Sequence, residues 1–110
     1  MNDCIFCKIV RGELPSFNVY ENEKVLAFLD IHPVNPGHTL VIPKKHSPNI
    51  FEVLPEDWAS VTETARMLAG VLEKTLSAKG VNLMMNNREH AGQLVEPTHV
   101  HIIPRFTDDT

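Results

Sequence analysis

The pattern of apolar and polar positions divides the 110-residue chain into short extended runs and one long helix. The helix is predicted over 55–79, where apolar residues recur at helical spacing; they are Val61, Ala65, Leu68, Leu72 and Leu76. Pro55 suits the first helical position, and Gly80 is expected to end the helix. This apolar stripe indicates a face of the protein core.

The other segments alternate between extended runs and breakers. A turn or two of helix is expected over 4–10, and a hairpin over 18–29 turns at residues 21–23. The proline-rich stretch 31–37 predicts a loop, strands follow at 38–42 and 81–85, and 86–93 forms a polar loop. A last strand begins at His99. The pattern predicts one α+β domain over 1–110 with a mainly antiparallel five-stranded sheet.

Composition narrows the class of protein. The formal net charge of −4 disfavours a general nucleic-acid binder, which normally has a basic surface. We expect a cytoplasmic protein without a membrane partner, because no apolar stretch is long enough to cross a bilayer and no signal-peptide pattern opens the chain. Both cysteines, Cys4 and Cys7, fall in one CxxC motif. In such a protein this motif indicates metal or redox chemistry before a structural disulfide, and a thioredoxin-like role would need a preceding strand.

The strongest chemical signal is the pair His99 and His101. Side chains alternate across a strand, so both imidazoles project from one face while Val100 faces the other way. Imidazole can attack, move protons or bind metal near neutral pH. A pair of solvated or hydrogen-bonded histidines is the plainer interpretation, but we favour a functional site.

Three further features point to a site that handles phosphate. His38 opens a strand after Pro36 and Gly37, where the backbone can turn tightly. The loop 86–93 offers amide donors and Gly92, and Asp30 ends an apolar strand. A carboxylate at that position could accept hydrogen bonds from ribose hydroxyls, although for Asp30 taken alone a loop N-cap or turn residue is the better interpretation.

Five motifs together resemble the histidine-triad (HIT) family: CIFCKI at 4–9, FLDI at 28–31, PGHTLVIPK at 36–44, AGQ at 91–93 and HVHIIPR at 99–105. They are most similar to the Hint-like branch of nucleotide phosphoramidases and hydrolases that carries an N-terminal CxxC. The resemblance implies a HIT-like fold, a purine nucleotide ligand, a homodimer and nucleotidyl transfer through a covalent histidine intermediate. It implies no cofactor for the chemistry itself.

The resemblance also implies roles for individual residues. His99 matches the nucleophile, His101 the histidine near the leaving group, and His38 an additional histidine that supports the nucleophile. Asp30 matches the acid that binds ribose. The apolar walls around the base match Phe6, Ile9, Phe28 and Ile31, and Asn86 matches a polar residue beside the phosphate. Backbone N–H groups from Gly92 through Gln93 to Leu94 are expected to stabilise charge on the phosphoryl oxygens.

The chain departs from the family pattern at two functional positions. Pro97 stands in place of the first triad histidine, and Leu94 in place of a serine on the leaving-group side. Two functions therefore stay open. The first is an active nucleotide hydrolase or nucleotidyl transferase, with activity reduced by these changes. The second is a catalytically weak or inactive nucleotide-binding protein on the same fold.

The same departure affects the metal that the resemblance implies. Family members with CxxC hold a structural zinc ion through the residues matching Cys4, Cys7 and His46 together with the first triad histidine. Pro97 cannot coordinate a metal, so the ligand set is incomplete unless water or Glu96 completes it. A zinc module built from both cysteines, His99 and His101 is the alternative metal site.

Overall fold

The computed structural model describes residues 4–109. Its regular elements are α1 (Ile5–Val10), β1 (Asn18–Glu21), β2 (Val25–Leu29), β3 (Thr39–Pro43), α2 (Pro55–Leu76), β4 (Gly80–Met84) and β5 (Val100–Arg105), with a 3₁₀ turn at Glu89–Ala91. Neither α-helix in this part of the chain is long and apolar enough to cross a membrane.

The five strands form one sheet in the order β1-β2-β3-β5-β4. Every neighbouring pair is antiparallel. The predicted α+β fold with a five-stranded antiparallel sheet, one long helix and a short N-terminal helix is thereby confirmed. Its central strands are β2, β3 and β5, and β4 lies at one edge.

The two faces of the sheet bury different apolar clusters, as alternation along each strand requires. One cluster packs beneath α2 and contains Val25, Ala27, Val41, Val61, Ala65, Leu68, Val100 and Ile102. The other lies on the α1 side and contains Phe6, Leu26, Phe28, Leu40 and Ile42. His101 pairs with Leu40 across β5 and β3, so its side chain projects on the α1 side.

The C-terminal end of α2 differs from the sequence prediction. The helix begins at Pro55 as expected but ends at Leu76, because Ser77 adopts a left-handed conformation with φ of 56°. Lys79 then donates its N–H to the Arg105 carbonyl at 2.8 Å, and Gly80 starts β4. The prediction that the helix runs to residue 79 and stops at Gly80 was wrong, because pairing with β5 requires extended chain there.

Candidate active site

Three histidines converge on the α1 side of the sheet. His38 immediately precedes β3, His99 immediately precedes β5, and His101 is the second residue of β5. The ring centroids of His99 and His101 are 5.0 Å apart, and those of His38 and His101 are 5.1 Å apart. The two histidines of the HVH motif therefore share one face as predicted, although the strand itself starts at Val100 and not at His99.

The hydrogen bond of His99 determines which of its nitrogens is available. Its Nδ1 lies 2.8 Å from the backbone carbonyl oxygen of Pro97, and a carbonyl can only accept. Nδ1 therefore carries the proton, and the neutral ring presents a lone pair at Nε2. Phe6 packs edge-on against the ring at 5.2 Å between centroids and restrains its orientation. This is the tautomer that a nucleophilic imidazole needs.

Pro97 supplies this acceptor through its backbone. The adjacent segment is held by two contacts between Thr98 and Ser47: the Thr98 N–H donates to the Ser47 carbonyl at 2.8 Å, and the two hydroxyls lie 3.0 Å apart. A backbone carbonyl does not depend on the side chain at its position. The acceptor of His99 Nδ1 is therefore present with a proline at position 97.

A second chain of hydrogen bonds assigns the protons of His38 and His101. The Val34 amide donates to His38 Nδ1 at 3.0 Å, so that nitrogen is an acceptor and His38 Nε2 carries the proton. His38 Nε2 lies 2.9 Å from His101 Nδ1. His101 Nδ1 accepts this bond, and in the neutral ring the remaining proton sits on His101 Nε2. The His38–His101 pair therefore has one N–H donor, His101 Nε2–H, on the side of the His101 ring that faces away from His38.

Burial keeps both of these imidazoles neutral. It lowers the pKa of His101 to about 4, and repulsion from His99 and His38 adds to the effect. Burial also lowers the pKa of His38, against an opposing attraction from Asp30, whose Oδ2 is 3.5 Å from His38 Nε2. At neutral pH the rings of His38 and His101 are therefore uncharged, and their neighbours fix the positions of their lone pairs and N–H donors.

The predicted base-binding residues form an apolar group next to the histidines. Phe6 and Phe28 are buried and pack edge to face at 5.7 Å between centroids, and Ile9 packs against their cluster. Ile31 is 74% exposed, so it can cover a ligand but contributes little to the core. Asp30 follows β2, and its Oδ1 accepts the His32 N–H at 2.9 Å.

The loop before β5 uses most of its donors internally. The Gly92 N–H donates to the Glu89 carbonyl at 2.9 Å, and the Gln93 N–H donates to the Arg88 carbonyl at 3.1 Å. The Gln93 side chain accepts the Arg88 N–H at 2.6 Å and donates to the Pro48 carbonyl at 2.8 Å. The N–H groups of Gly92 and Gln93 are therefore engaged within the loop in this conformation, and their contact with a phosphate stays a prediction.

Asn86 and Leu94 lie at the two ends of this loop. The Asn86 amide makes a long contact of 3.4 Å to the Gly92 carbonyl, which leaves it able to turn toward a ligand. Leu94 is 94% exposed, and its own N–H has no hydrogen-bond partner within residues 4–109. Of the three predicted backbone donors, only that of Leu94 is available.

Cys4, Cys7 and His46 form a separate cluster. Their donor atoms all lie within 4.8 Å of one another, and Cys7 Sγ is 3.1 Å from His46 Nδ1. Burial, followed by the effect of Cys4, raises the pKa of the Cys7 thiol to about 11, so a metal would have to displace its proton. Two thiols and an imidazole match the ligand preference of zinc and provide three of four ligands.

The structure separates the candidate metal ligands into two groups. The alternative set that joins both cysteines to His99 and His101 is not formed, since His101 groups instead with His38 and Asp30. These last three could also surround an ion. His38 Nε2, however, carries a proton in the tautomer that the Val34 amide selects, which disfavours coordination there.

Sequence reasoning missed the groups that orient the histidines. The Val34 amide and the Pro97 carbonyl are backbone groups, which leave no signal in side-chain identity. The Ser47–Thr98 pair resembles two ordinary surface hydroxyl residues in the sequence, yet both are buried. Only the approach of distant segments in the folded chain reveals these contacts.

Known proteins are similar in sequence to this chain over nearly its whole length. An Arabidopsis thaliana protein named adenylylsulfatase is 41% identical over 108 residues, covering 98% of this chain and 55% of the relative. A Candida albicans protein named adenosine 5'-monophosphoramidase is 38% identical over 112 residues, covering 97% of this chain and 73% of the relative.

Solved structures are also similar to this chain over nearly its whole length. A Streptococcus mutans protein superposes with a TM-score of 0.94 at 50% identity, covering 99% of this chain and 69% of that one. A zinc-bound histidine triad family protein from Mycobacterium smegmatis has a TM-score of 0.94 at 37% identity, covering 99% and 79%. The family model described as HIT domain matches residues 11–108. The chain therefore belongs to the HIT domain family.

Proposed function

We propose that this protein hydrolyses purine nucleoside monophosphate derivatives, cleaving the bond between the phosphorus and a nitrogen or oxygen leaving group. The observation that supports this most directly is the pair of complementary tautomers: His99 with a lone pair at Nε2, and His101 with its proton at Nε2. The names of two relatives, a monophosphoramidase and an adenylylsulfatase, describe such reactions on adenosine nucleotides.

In the first step His99 Nε2 attacks phosphorus and the bond to the leaving group breaks. The imidazole of the resulting nucleotidyl-His99 carries positive charge, which the hydrogen bond from Nδ1 to the Pro97 carbonyl stabilises. An amine leaving group must also take up a proton. That proton comes from solvent, because His101 is neutral; its Nε2–H instead donates a hydrogen bond to the phosphoryl oxygens and stabilises their charge.

In the second step water attacks the phosphorus of nucleotidyl-His99. The bond between phosphorus and His99 Nε2 breaks, the water proton passes to solvent, and the nucleoside monophosphate leaves with His99 back in its starting tautomer. The residues proposed to bind the nucleotide are those of the apolar group and the loop: Phe6, Ile9, Phe28, Ile31, Asn86, Gly92, Gln93 and Leu94, with Asp30 on the ribose. Of the loop residues, Leu94 would contribute its free N–H.

The second candidate function is nucleotide binding with weak or absent turnover. It is favoured by Leu94, whose exposed apolar side chain cannot donate a hydrogen bond to a leaving group. It is also favoured by the internal bonding of the Gly92 and Gln93 amides, which removes two donors that would stabilise transition-state charge. Both functions use the same apolar group, so binding alone does not separate them.

Turnover of adenosine 5'-phosphoramidate by wild type and by a His99→Ala variant distinguishes the two functions. We expect turnover that falls by about a thousandfold or more in the variant while AMP affinity changes little, because the nucleophile is lost but the base pocket remains. The P–N bond of nucleotidyl-His99 is labile in acid, so the intermediate is sought by rapid quench under alkaline conditions. Equal turnover in both proteins would refute the covalent mechanism, and AMP binding without turnover would support the second function.

The family resemblance and the CxxC cluster support a structural zinc ion held by Cys4, Cys7 and His46. Such an ion would link α1 to the segment after β3, because Cys4 caps α1, Cys7 lies within it, and His46 follows the end of β3. It would supply no chemistry to the histidines. We also propose a cytoplasmic location, and a single domain with no nucleic-acid or membrane partner, as the charge and hydropathy of the sequence predict.

A homodimer is the proposed assembly, formed at the free edge of β4. This edge strand exposes Leu83 (53%) and Met84 (42%). An apolar edge strand with unpaired backbone groups favours pairing with a second chain, which would continue the sheet. Sedimentation should give a dimer, and Leu83→Lys should shift it to monomer. A monomeric wild type would contradict the proposal.

A further inference from the structure

The residues that follow β5 fold back onto the loop before His38. The carboxylate of Asp109 is the centre of this contact: it accepts the Phe106 N–H at 2.6 Å and the Asn35 side-chain amide at 2.8 Å. Arg105 binds the same carboxylate through Nε at 3.2 Å and Nη2 at 3.1 Å. Four donors thus surround one carboxylate, and its side chain is only 13% exposed.

Asn35 connects this carboxylate to the histidines. Its side-chain amide donates to the Pro104 carbonyl at 2.9 Å as well as to Asp109, so it is held at two points. Its backbone carbonyl accepts the His38 N–H at 3.1 Å. The residue before it, Val34, donates the amide hydrogen bond that fixes the His38 tautomer. Fixing Asn35 therefore fixes the acceptor of the His38 N–H and the residue next to the amide that donates to the His38 ring.

Gly37 indicates how closely this loop must fit. Its φ is +87°, and a Cβ there would lie 2.5 Å from Leu76 Cδ1 and 3.2 Å from Pro104 Cγ. The loop therefore packs against the end of α2 and the end of β5 with no space for a side chain. The Val34 amide depends on that packing on one side and on the Asp109 contact on the other.

We infer that Asp109 is a positioning residue, which holds Asn35 and the Val34 amide so that His38 stays in its Nε2–H form and His101 presents its own Nε2–H. Asp109 touches no reacting group, and it acts through Asn35 and His38. Hydrogen bonds from Arg105 and then from the Phe106 amide hold the pKa of Asp109 below its usual range, so the carboxylate is charged at neutral pH. The catalytic consequence rests on the proposed function, whereas the tautomer does not.

The test compares Asp109→Ala and Asn35→Ala with Arg105→Met as the matched control. Arg105→Met removes the paired guanidinium but leaves the contacts of Asp109 with Asn35 and Phe106. Long-range proton–nitrogen NMR at neutral pH reports which nitrogen of His38 carries its proton in the full chain. Turnover of adenosine 5'-phosphoramidate gives kcat and KM separately.

In wild type and Arg105→Met we expect a single Nε2–H tautomer at His38. In Asp109→Ala and Asn35→Ala we expect mixed tautomers, with kcat lowered about tenfold and KM within about twofold, since misplaced groups slow the chemical step more than binding. A single tautomer in folded Asp109→Ala would overturn the inference. An equal loss in Arg105→Met would also overturn it, because the C-terminal segment would then act only as a general anchor.

Two controls keep the result decisive. Asn35→Ala breaks the same connection from the other side, so it decides the question if Asp109→Ala fails to fold. If wild type turns over no nucleotide derivative, the proposed function fails, and the NMR comparison still tests the positioning role. The two failures are therefore distinguishable.

Discussion

The three-histidine site and the Cys4–Cys7–His46 cluster differ in what they require of residue 97. The histidine site needs an acceptor for His99 Nδ1, and the Pro97 backbone carbonyl provides it. A zinc ion bound at the Cys4–Cys7–His46 cluster would need a fourth ligand, which the proline side chain cannot provide. Under the proposed zinc binding, Pro97 therefore serves the site that uses its backbone carbonyl and leaves the cluster without a side-chain ligand from this position. The lesson is that a motif position can have two functions, of which a substitution removes only one.

The two sites also differ in how their protons are determined. In the histidine site a carbonyl and an amide select one tautomer for each ring, and burial keeps His38 and His101 neutral. In the cluster, Cys7 Sγ lies 3.1 Å from His46 Nδ1, and no backbone group within residues 4–109 makes a hydrogen bond that selects the His46 tautomer. The first arrangement is prepared for chemistry without any ion, whereas the second must lose protons before it binds one.

The largest effect that we expect to distinguish the two sites is that of Pro97→His on zinc affinity, because this variant adds an imidazole at position 97. We expect zinc affinity to rise by about tenfold or more, because a fourth imidazole completes the tetrahedral set. Turnover should stay within about threefold, because the carbonyl that accepts from His99 Nδ1 is retained. Zinc titration against a competing chelator measures the first quantity, and steady-state kinetics the second.

Thr98→Val is the matched control, since it changes the neighbouring side chain without adding a ligand and should leave zinc affinity unchanged. Unaltered zinc affinity in Pro97→His would show that residue 97 does not reach the cluster. A large change in turnover with unaltered zinc affinity would show that the side chain at position 97 affects the histidine site and not the Cys4–Cys7–His46 cluster.

A smaller effect concerns the pH dependence of stability, which the histidine site should dominate. The folded-state pKa of His101 is about 4, below the ordinary value of 6.5, so between these values the unfolded chain binds a proton that the folded chain does not. Stability from this group is complete above about pH 6.5 and is lost as the pH falls toward about 4. Between pH 7 and 5 we expect a loss of about 1–2 kcal/mol in the free energy of unfolding.

Urea unfolding of wild type and His101→Asn at several pH values measures this term. The variant lacks the titrating ring, so its stability should depend less on pH over the same interval. His38 contributes in the same direction in both proteins, because burial lowers its pKa as well. Identical pH dependence in the two proteins would contradict a buried, neutral His101.

Much of the fold was predictable because local patterns determine it. Apolar positions at helical spacing predicted α2, and turn residues around 21–23 predicted the β1–β2 hairpin. The end of α2 was not predictable, since Ser77 ends the helix only because the following residues pair with β5. Such an end depends on a strand that is distant in sequence.

The candidate site divides in the same way. The sequence by itself determined which imidazoles share a face, because alternation along an extended chain is a local property of the backbone. It also indicated a CxxC cluster and the loss of a ligand at Pro97. Only the tertiary structure decided which nitrogen of each ring carries a proton. That choice belongs to the Val34 amide and the Pro97 carbonyl, and to the Asp109 contact that holds the first of them in place. Backbone groups are the same at almost every residue, so only folding distinguishes the ones that meet a histidine.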